Sequence, residues 1–354
     1  MKLRGLPICT LTLLVASAGC NAPQKNDPTL TRWDQTRLHA ALQLADEHIA
    51  AGKFERARAG LAAFESLSDT RLQLTLARMD VEEGHYAGAL KRLETFAGSA
   101  AELPSYHRLR GVALEGLGRW SEAVAAYAEA YHRRPTVDLL TAWLETLVLE
   151  GQSAAASSIL QRERSHYPGQ PGLHVLAARL CALSGDYETA ISEMRTAALA
   201  EPDSPEIQHR LADLLTAAGH NTEAAELWRK LLSESQDTNE RRHLRHRLAG
   251  CLLSAGHAGE ARRTFRALVL TQPEDEAARL GLAASCLLDD EPAEALEAAL
   301  QLLRKRSDNV DARLIAAISY HRLNQPARAT ELLSDVRPVN DPEGLVRELL
   351  ACWQ

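Results

Sequence analysis

A helix-breaking glycine recurs along the chain at Gly52, Gly84, Gly118, Gly151, Gly185, Gly219 and Gly256, and Asp290 and Asn324 continue the series. The intervals are 32, 34, 33, 34, 34, 37, 34 and 34 residues. A period of this length means one supersecondary unit repeated, because no single helix or strand spans it. Five residues after every one of these positions stands an alanine: Ala57, Ala89, Ala123, Ala156, Ala190, Ala224, Ala261, Ala295 and Ala329. Glycine, aspartate and asparagine are the residues that tolerate the left-handed conformation closing a helix. The series therefore marks nine turns, each between two helices.

Other offsets follow the same clock. Seven residues before the turn the side chain is small in eight cases, Ala45, Ala77, Gly111, Ala178, Ala212, Ala249, Ala283 and Ala317, with Leu144 the exception. Nine residues after it stands a bulkier core residue: Leu61, Leu93, Tyr127, Leu160, Met194, Trp228, Phe265 and Leu333, with Ala299 breaking the pattern. Small residues let two antiparallel helices approach closely, and the bulky one fills the space toward the next pair. Pro135, Pro168, Pro202 and Pro273 fall where one pair hands over to the next, since proline cannot continue a helix. Over about residues 38 to 338 this pattern resembles the tetratricopeptide repeat (TPR) family. Among the residues following the turn, Phe54, Tyr86, Trp120 and Tyr187 fit the family, while Ser153, Asn221, Ala258, Pro292 and Pro326 do not. The resemblance implies an all-α, right-handed superhelical solenoid of about nine TPR-like helix-turn-helix pairs plus a C-terminal capping helix.

The first residues read as an export signal. Lys2 and Arg4 precede a short apolar run from Leu6 to Ala18, too short for a comfortable membrane span. Ala16-Ser17-Ala18-Gly19-Cys20 resembles a bacterial lipobox, although Ser17 stands where leucine is commonest. That resemblance implies cleavage after Gly19 and lipidation of Cys20, whose buried methylenes each contribute roughly 0.8 kcal/mol of membrane affinity. Asn21 rather than aspartate follows, which in the enterobacterial sorting scheme implies the outer membrane, facing the periplasm, rather than the inner membrane's extracytoplasmic face. The expected organisation is a leader over 1–19, a lipidated cysteine and flexible tether over 20–35, a solenoid over 36–340 and a cap over 341–354. Asp341 and Pro342 supply a helix start for that cap. Leu345, Val346, Leu349, Leu350 and Trp353 form its apolar stripe, which either covers the last repeat or docks a partner.

The formal charge is −7, and removing Lys2 and Arg4 with the leader leaves 38 bases against 47 acids. An acidic chain lacks the electrostatic attraction that drives nucleic-acid binding, so a pentatricopeptide-like RNA reader is disfavoured. Membrane attachment is expected through the lipid alone. The basic stretch Arg241 to Arg247 reads as a solvated helix face.

In the TPR family the first helix of each pair lines a concave groove, and the residues ten and six before the turn face it. Carried over, these are Arg108, Thr141, Glu145, Arg179, His209, Asp213 and His246, then Leu280, Ala284, Leu314 and Ile318 toward the C-terminus. The expected groove is charged in its middle and apolar at its far end, where a partner segment or the cap could lie. The lysine and asparagine clamp by which some members hold chaperone tails has no counterpart, since Leu42, Leu74, Asp46 and Arg78 stand in its places.

Chemistry is sparse. There is no Gly-rich phosphate loop, no Gly-x-Ser-x-Gly elbow and no His-Glu-x-x-His, so no cofactor is expected. His243 and His246 with His209 and Asp213 define the rival reading, an enzyme or small-ligand or metal binder. Cys181, Cys251, Cys286 and Cys352 read as small apolar filling, with Cys251 and Cys286 close enough in repeat order for a bond to be possible. The favoured function is a lipid-anchored scaffold binding proteins or peptides of an envelope assembly, such as a pilus, a secretion machine, polysaccharide export or cell-wall synthesis.

Overall fold

The structure, a computed structural model, describes residues 32–334, 336 and 344–353. The leader, Cys20, Asn21 and the cap-initiating Asp341 and Pro342 lie outside the described residues. All nine turn positions adopt positive φ, from 58° at Asp290 and Asn324 to 86° at Gly151. At each, the next residue's N–H donates back five residues to the first helix, as from Lys53 to His48 O (2.8 Å), His220 to Leu215 O (2.8 Å) and Gln325 to Tyr320 O (2.9 Å). This bond satisfies a carbonyl that the helix end leaves open and fixes the entry of the second helix.

The described chain divides into two compact units, with the boundary between Thr146 and Leu147. In the first, α1 (Arg32–Ala50) pairs with α2 (Phe54–Leu61), α3 (Thr70–Glu82) with α4 (Tyr86–Thr95), and α6 (Pro104–Gly116) with α7 (Trp120–Arg133). A single turn, α5 (Ala97–Ala100), lies between α4 and α6. The boundary falls inside α8 (Val137–Leu149), the helix in which Leu144 takes the small residue's place.

The second unit continues with α9 (Ser153–Glu163) and the pairs α10 (Pro171–Leu183) with α11 (Tyr187–Ala200) and α12 (Pro205–Ala217) with α13 (Asn221–Glu234). Then come α14 (Thr238–Ser254) with α15 (Ala258–Thr271), α16 (Glu276–Leu288) with α17 (Pro292–Lys305), and α18 (Val310–Arg322) with α19 (Pro326–Ser334). Last is α20 (Leu345–Trp353). Among the described residues no helix is long and apolar enough to cross a membrane.

The periodic residues build the core as their offsets require. Every alanine five after a turn is buried, as are the small residues seven before it and the bulky ones nine after it. Gly111 shows why size matters: a Cβ there would lie 2.9 Å from the Tyr127 ring, and one on Gly281 would lie 2.4 Å from that of Phe265. The bulky residue nine after the turn thus packs flat against first-helix backbone.

Three local expectations change. Helix α1 begins at Arg32, so residues 32–35 are helical rather than tether. Cys352 is exposed rather than apolar filling, whereas Cys251 and Cys286 are buried and Cys181 half-buried as that role requires, and all four are free thiols. Burial pushes the Cys286 thiol up to about 12, so it is protonated at neutral pH. In α20, Val346 is buried in a cluster with Ala317, Ala329 and Leu333, flanked by Leu349, Leu350 and Trp353, while Leu345 is exposed. Trp353 stacks on His321 with ring centroids 4.6 Å apart.

Candidate functional site

Apart from Leu42 of the first repeat, which is buried in the core, each first helix leaves the residues ten and six before its turn at least partly accessible. In the first unit Arg108 and Glu145 are exposed and Thr141 is half-buried. In the second unit Arg179 and Asp213 are exposed, and His209, His246, Leu280, Ala284, Leu314 and Ile318 are half-buried. Side chains of neighbouring first helices meet along this face. His209 Nε2 on α12 lies 3.7 Å from Glu240 on α14, and its ring meets Trp228 edge-on at 5.5 Å. Asp213 pairs with Arg247 at 3.1 Å, and Arg247 in turn lies over the Trp228 ring. His246 Nε2 is 2.7 Å from the carboxylate of Asp275, just before α16.

These pairings separate the residues of the rival reading. His209, Asp213 and His246 each face a different partner and do not gather into one ligand set. Among the described residues, the trio that could share a cation is Asp80, Glu83 and His85, with ligand atoms within 4.8 Å of one another. Arg58 already pairs with Asp80 and Glu83, and Arg92 Nε lies 3.1 Å from Asp80, so protein charge neutralises that cluster.

Asp275 does two things at once. Its carboxylate caps α16 by accepting the Ala278 N–H at 3.0 Å, and it holds His246. Burial pushes this carboxyl up, but those two hydrogen bonds outweigh it and hold it below the usual range. The connection carrying Asp275 and the start of α14 enclose an open cleft of about 630 Å³. The sequence marked Arg242, His243 and His246 within one basic stretch, but not the loop that faces them. Their proximity depends on which loop follows α15, and no periodic offset signals that.

The apolar end divides in two. Leu314 packs in the cluster that α20 completes, whereas Ile318 packs against the main core of the second unit. Leu280 and Ala284 follow Ala277 on α16, at spacings that place all three on one helix face.

Stacked antiparallel helix pairs, closed by left-handed turns and joined through first-helix and second-helix contacts, define a helical-repeat solenoid. The chain belongs to the tetratricopeptide repeat family. Residues 34–149 match a tetratricopeptide repeat-like domain, and residues 182–245 and 215–286 match a tetratricopeptide repeat. Among solved structures, the C-terminal part of a TPR repeat-containing protein from Cytophaga hutchinsonii aligns with 68% of this chain and 97% of its own. The identity is 13% and the TM-score 0.57. A tetratricopeptide repeat protein from Parabacteroides merdae ATCC 43184 aligns with 71% of this chain and 98% of its own, at 16% identity and a TM-score of 0.47. No curated protein matches the chain in sequence.

Proposed function

We propose that this protein is a lipid-anchored scaffold of the bacterial envelope, held by Cys20 at the outer membrane and facing the periplasm. Its first-helix face takes up proteins or peptides of an envelope assembly. Tetratricopeptide repeats are protein-interaction scaffolds and generally not enzymes, so the partner class follows from the family. The observation that carries the reading is the split of each repeat. Offsets +5 and +9 are spent on the core, while from the second repeat onward offsets −10 and −6 leave charged and apolar side chains at least partly accessible. Weak contacts shared across several repeats add up through effective concentration, without any one of them being strong.

The anchor and the groove are tested separately. Mass spectrometry of the mature N-terminus should find a diacylglycerol on Cys20, and Cys20→Ala should move the protein from the membrane to the soluble fraction. Affinity capture from envelope extracts should recover partners with the wild type and lose them with Arg108→Glu combined with Arg179→Glu. Capture of the same proteins by both forms would move binding away from this face.

A further inference from the structure

We propose that the cleft between α14 and the α15–α16 connection is an anchor for a carboxylate side chain of the partner. The partner's adjoining residues, apolar in character, lie over Ala277, Leu280 and Ala284. This rests on the scaffold reading and adds to it the chemistry of the bound segment.

The case is made by which charges are already committed. Arg242, His243 and His246 line one wall, and Gln272, Pro273 and Asp275 line the other. Of the acids at the cleft, Glu274 is ion-paired with Lys305, and Asp275 is occupied by the Ala278 N–H and by His246. Arg242 and His243 are exposed and hold no hydrogen bond or ion pair among the described residues, and the charge of Arg242 acts on the neighbouring Asp275. The guanidinium of Arg242 is therefore the charged group of this cleft that still has hydrogen-bond donors to offer, in a chain whose net charge is −7. A guanidinium offers a planar fork that matches a carboxylate, and charge-assisted hydrogen bonds of this kind are roughly twice as strong as neutral ones. Pro273 and Ala277 add exposed apolar surface to the same cleft.

Room and continuity define the rest of the segment. A volume of about 630 Å³ holds more than one acidic side chain, so neighbouring backbone enters too. Ala277, already a wall of the cleft, begins the apolar row that continues through Leu280 and Ala284 on α16. On α14, a Cβ added at half-buried Gly250 would meet nothing within 4 Å, so that helix has open space at this position. An acidic residue followed by small or branched apolar ones satisfies both parts.

The test uses the full chain in detergent and fluorescence anisotropy with two labelled synthetic peptides. One carries a Glu-Asp pair ahead of a Leu- and Ala-rich segment; the other is identical except for Lys-Lys in place of the acids. Wild type should prefer the acidic peptide by about tenfold or more, as expected for removing a charge-assisted contact. The double variant Arg242→Glu with His243→Glu, both exposed positions, should reverse that preference while circular dichroism stays unchanged. Equal binding of both peptides by the wild type, or an unreversed preference in the variant, overturns the proposal. Envelope partners captured equally by wild type and by this double variant would overturn it too, while leaving the scaffold reading in place.

Discussion

At the scale of single residues, the least visible device is a side chain eleven positions before the turn that reaches back to a carbonyl six residues earlier. Gln73 Nε2 donates to Leu67 O at 2.7 Å, His107 Nε2 to Ala101 O at 2.8 Å, and Arg313 Nε to Ser307 O at 2.8 Å. Gln208 and Arg279 donate in the same way to the loop prolines Pro202 and Pro273. In the repeat whose interval is 37 residues, Arg241 makes the same six-residue reach, to Ser235 O at 2.8 Å. The linkers between helix pairs leave carbonyls without helical partners, and these donors satisfy them. Sequence reading passes over the device because glutamine, histidine and arginine share a donor, not an identity. The prediction concerns Gln208, whose side chain is buried. Gln208→Leu keeps the volume, removes the bond to the Pro202 carbonyl, and should lower stability by about 1 kcal/mol in urea denaturation followed by circular dichroism. Gln208→Arg, which restores a donor, should lose less. A leucine variant as stable as wild type would show that the latch contributes nothing.

At the scale of helices and turns, the boundaries were legible because the constraint behind them is steric and severe. A chain entering a left-handed turn admits glycine readily and asparagine or aspartate at a cost, which is why Asp290 and Asn324 could be added to a glycine series. The second-helix side was not legible. There Arg195 pairs with Glu223 at 2.6 Å, Arg229 with Glu260 at 3.0 Å, and Arg266 with Glu294, each arginine ten after one turn and each glutamate four after the next. All six side chains are substantially solvent-exposed, so they are hidden among the many other surface charges. Each pair alone contributes little, but three in succession favour one register of the stack. The turn itself gives the sharper prediction. Asp290→Gly should raise stability by about 1 kcal/mol by removing the Cβ from φ 58°. The Arg322 contact it loses is 3.4 Å long and the carboxylate is 92% exposed, so that loss is small. Gly185→Ala, at φ 83°, should lower stability by a comparable amount. Differential scanning calorimetry of the two variants should show shifts of opposite sign, and shifts of the same sign would sink the argument.

At the scale of the whole chain, the repeat pattern foretold the core almost residue by residue, yet not the division into two compact units inside α8. No offset marks that division, apart from Leu144 replacing a small residue in the repeat where it falls. A stack of repeats has its own thermodynamics. Each pair is held by its neighbours, so the terminal pair has half the support of an internal one and depends on whatever covers it. In the second unit that cover is α20, whose Val346, Leu349, Leu350 and Trp353 meet Leu314, Tyr320, Leu332 and Leu333 of α18 and α19. Ending the chain after Ser334 removes the cover and returns those side chains to water. Nearest-neighbour coupling then predicts a local result: amide hydrogen exchange should speed up in α18 and α19 and stay as in the wild type in α10 to α13. Uniform acceleration through the second unit would mean that it unfolds as one body and that the stack is not locally coupled. Unchanged exchange in α18 and α19 would mean that α20 contributes no support, and its apolar stripe would then be free to dock a partner.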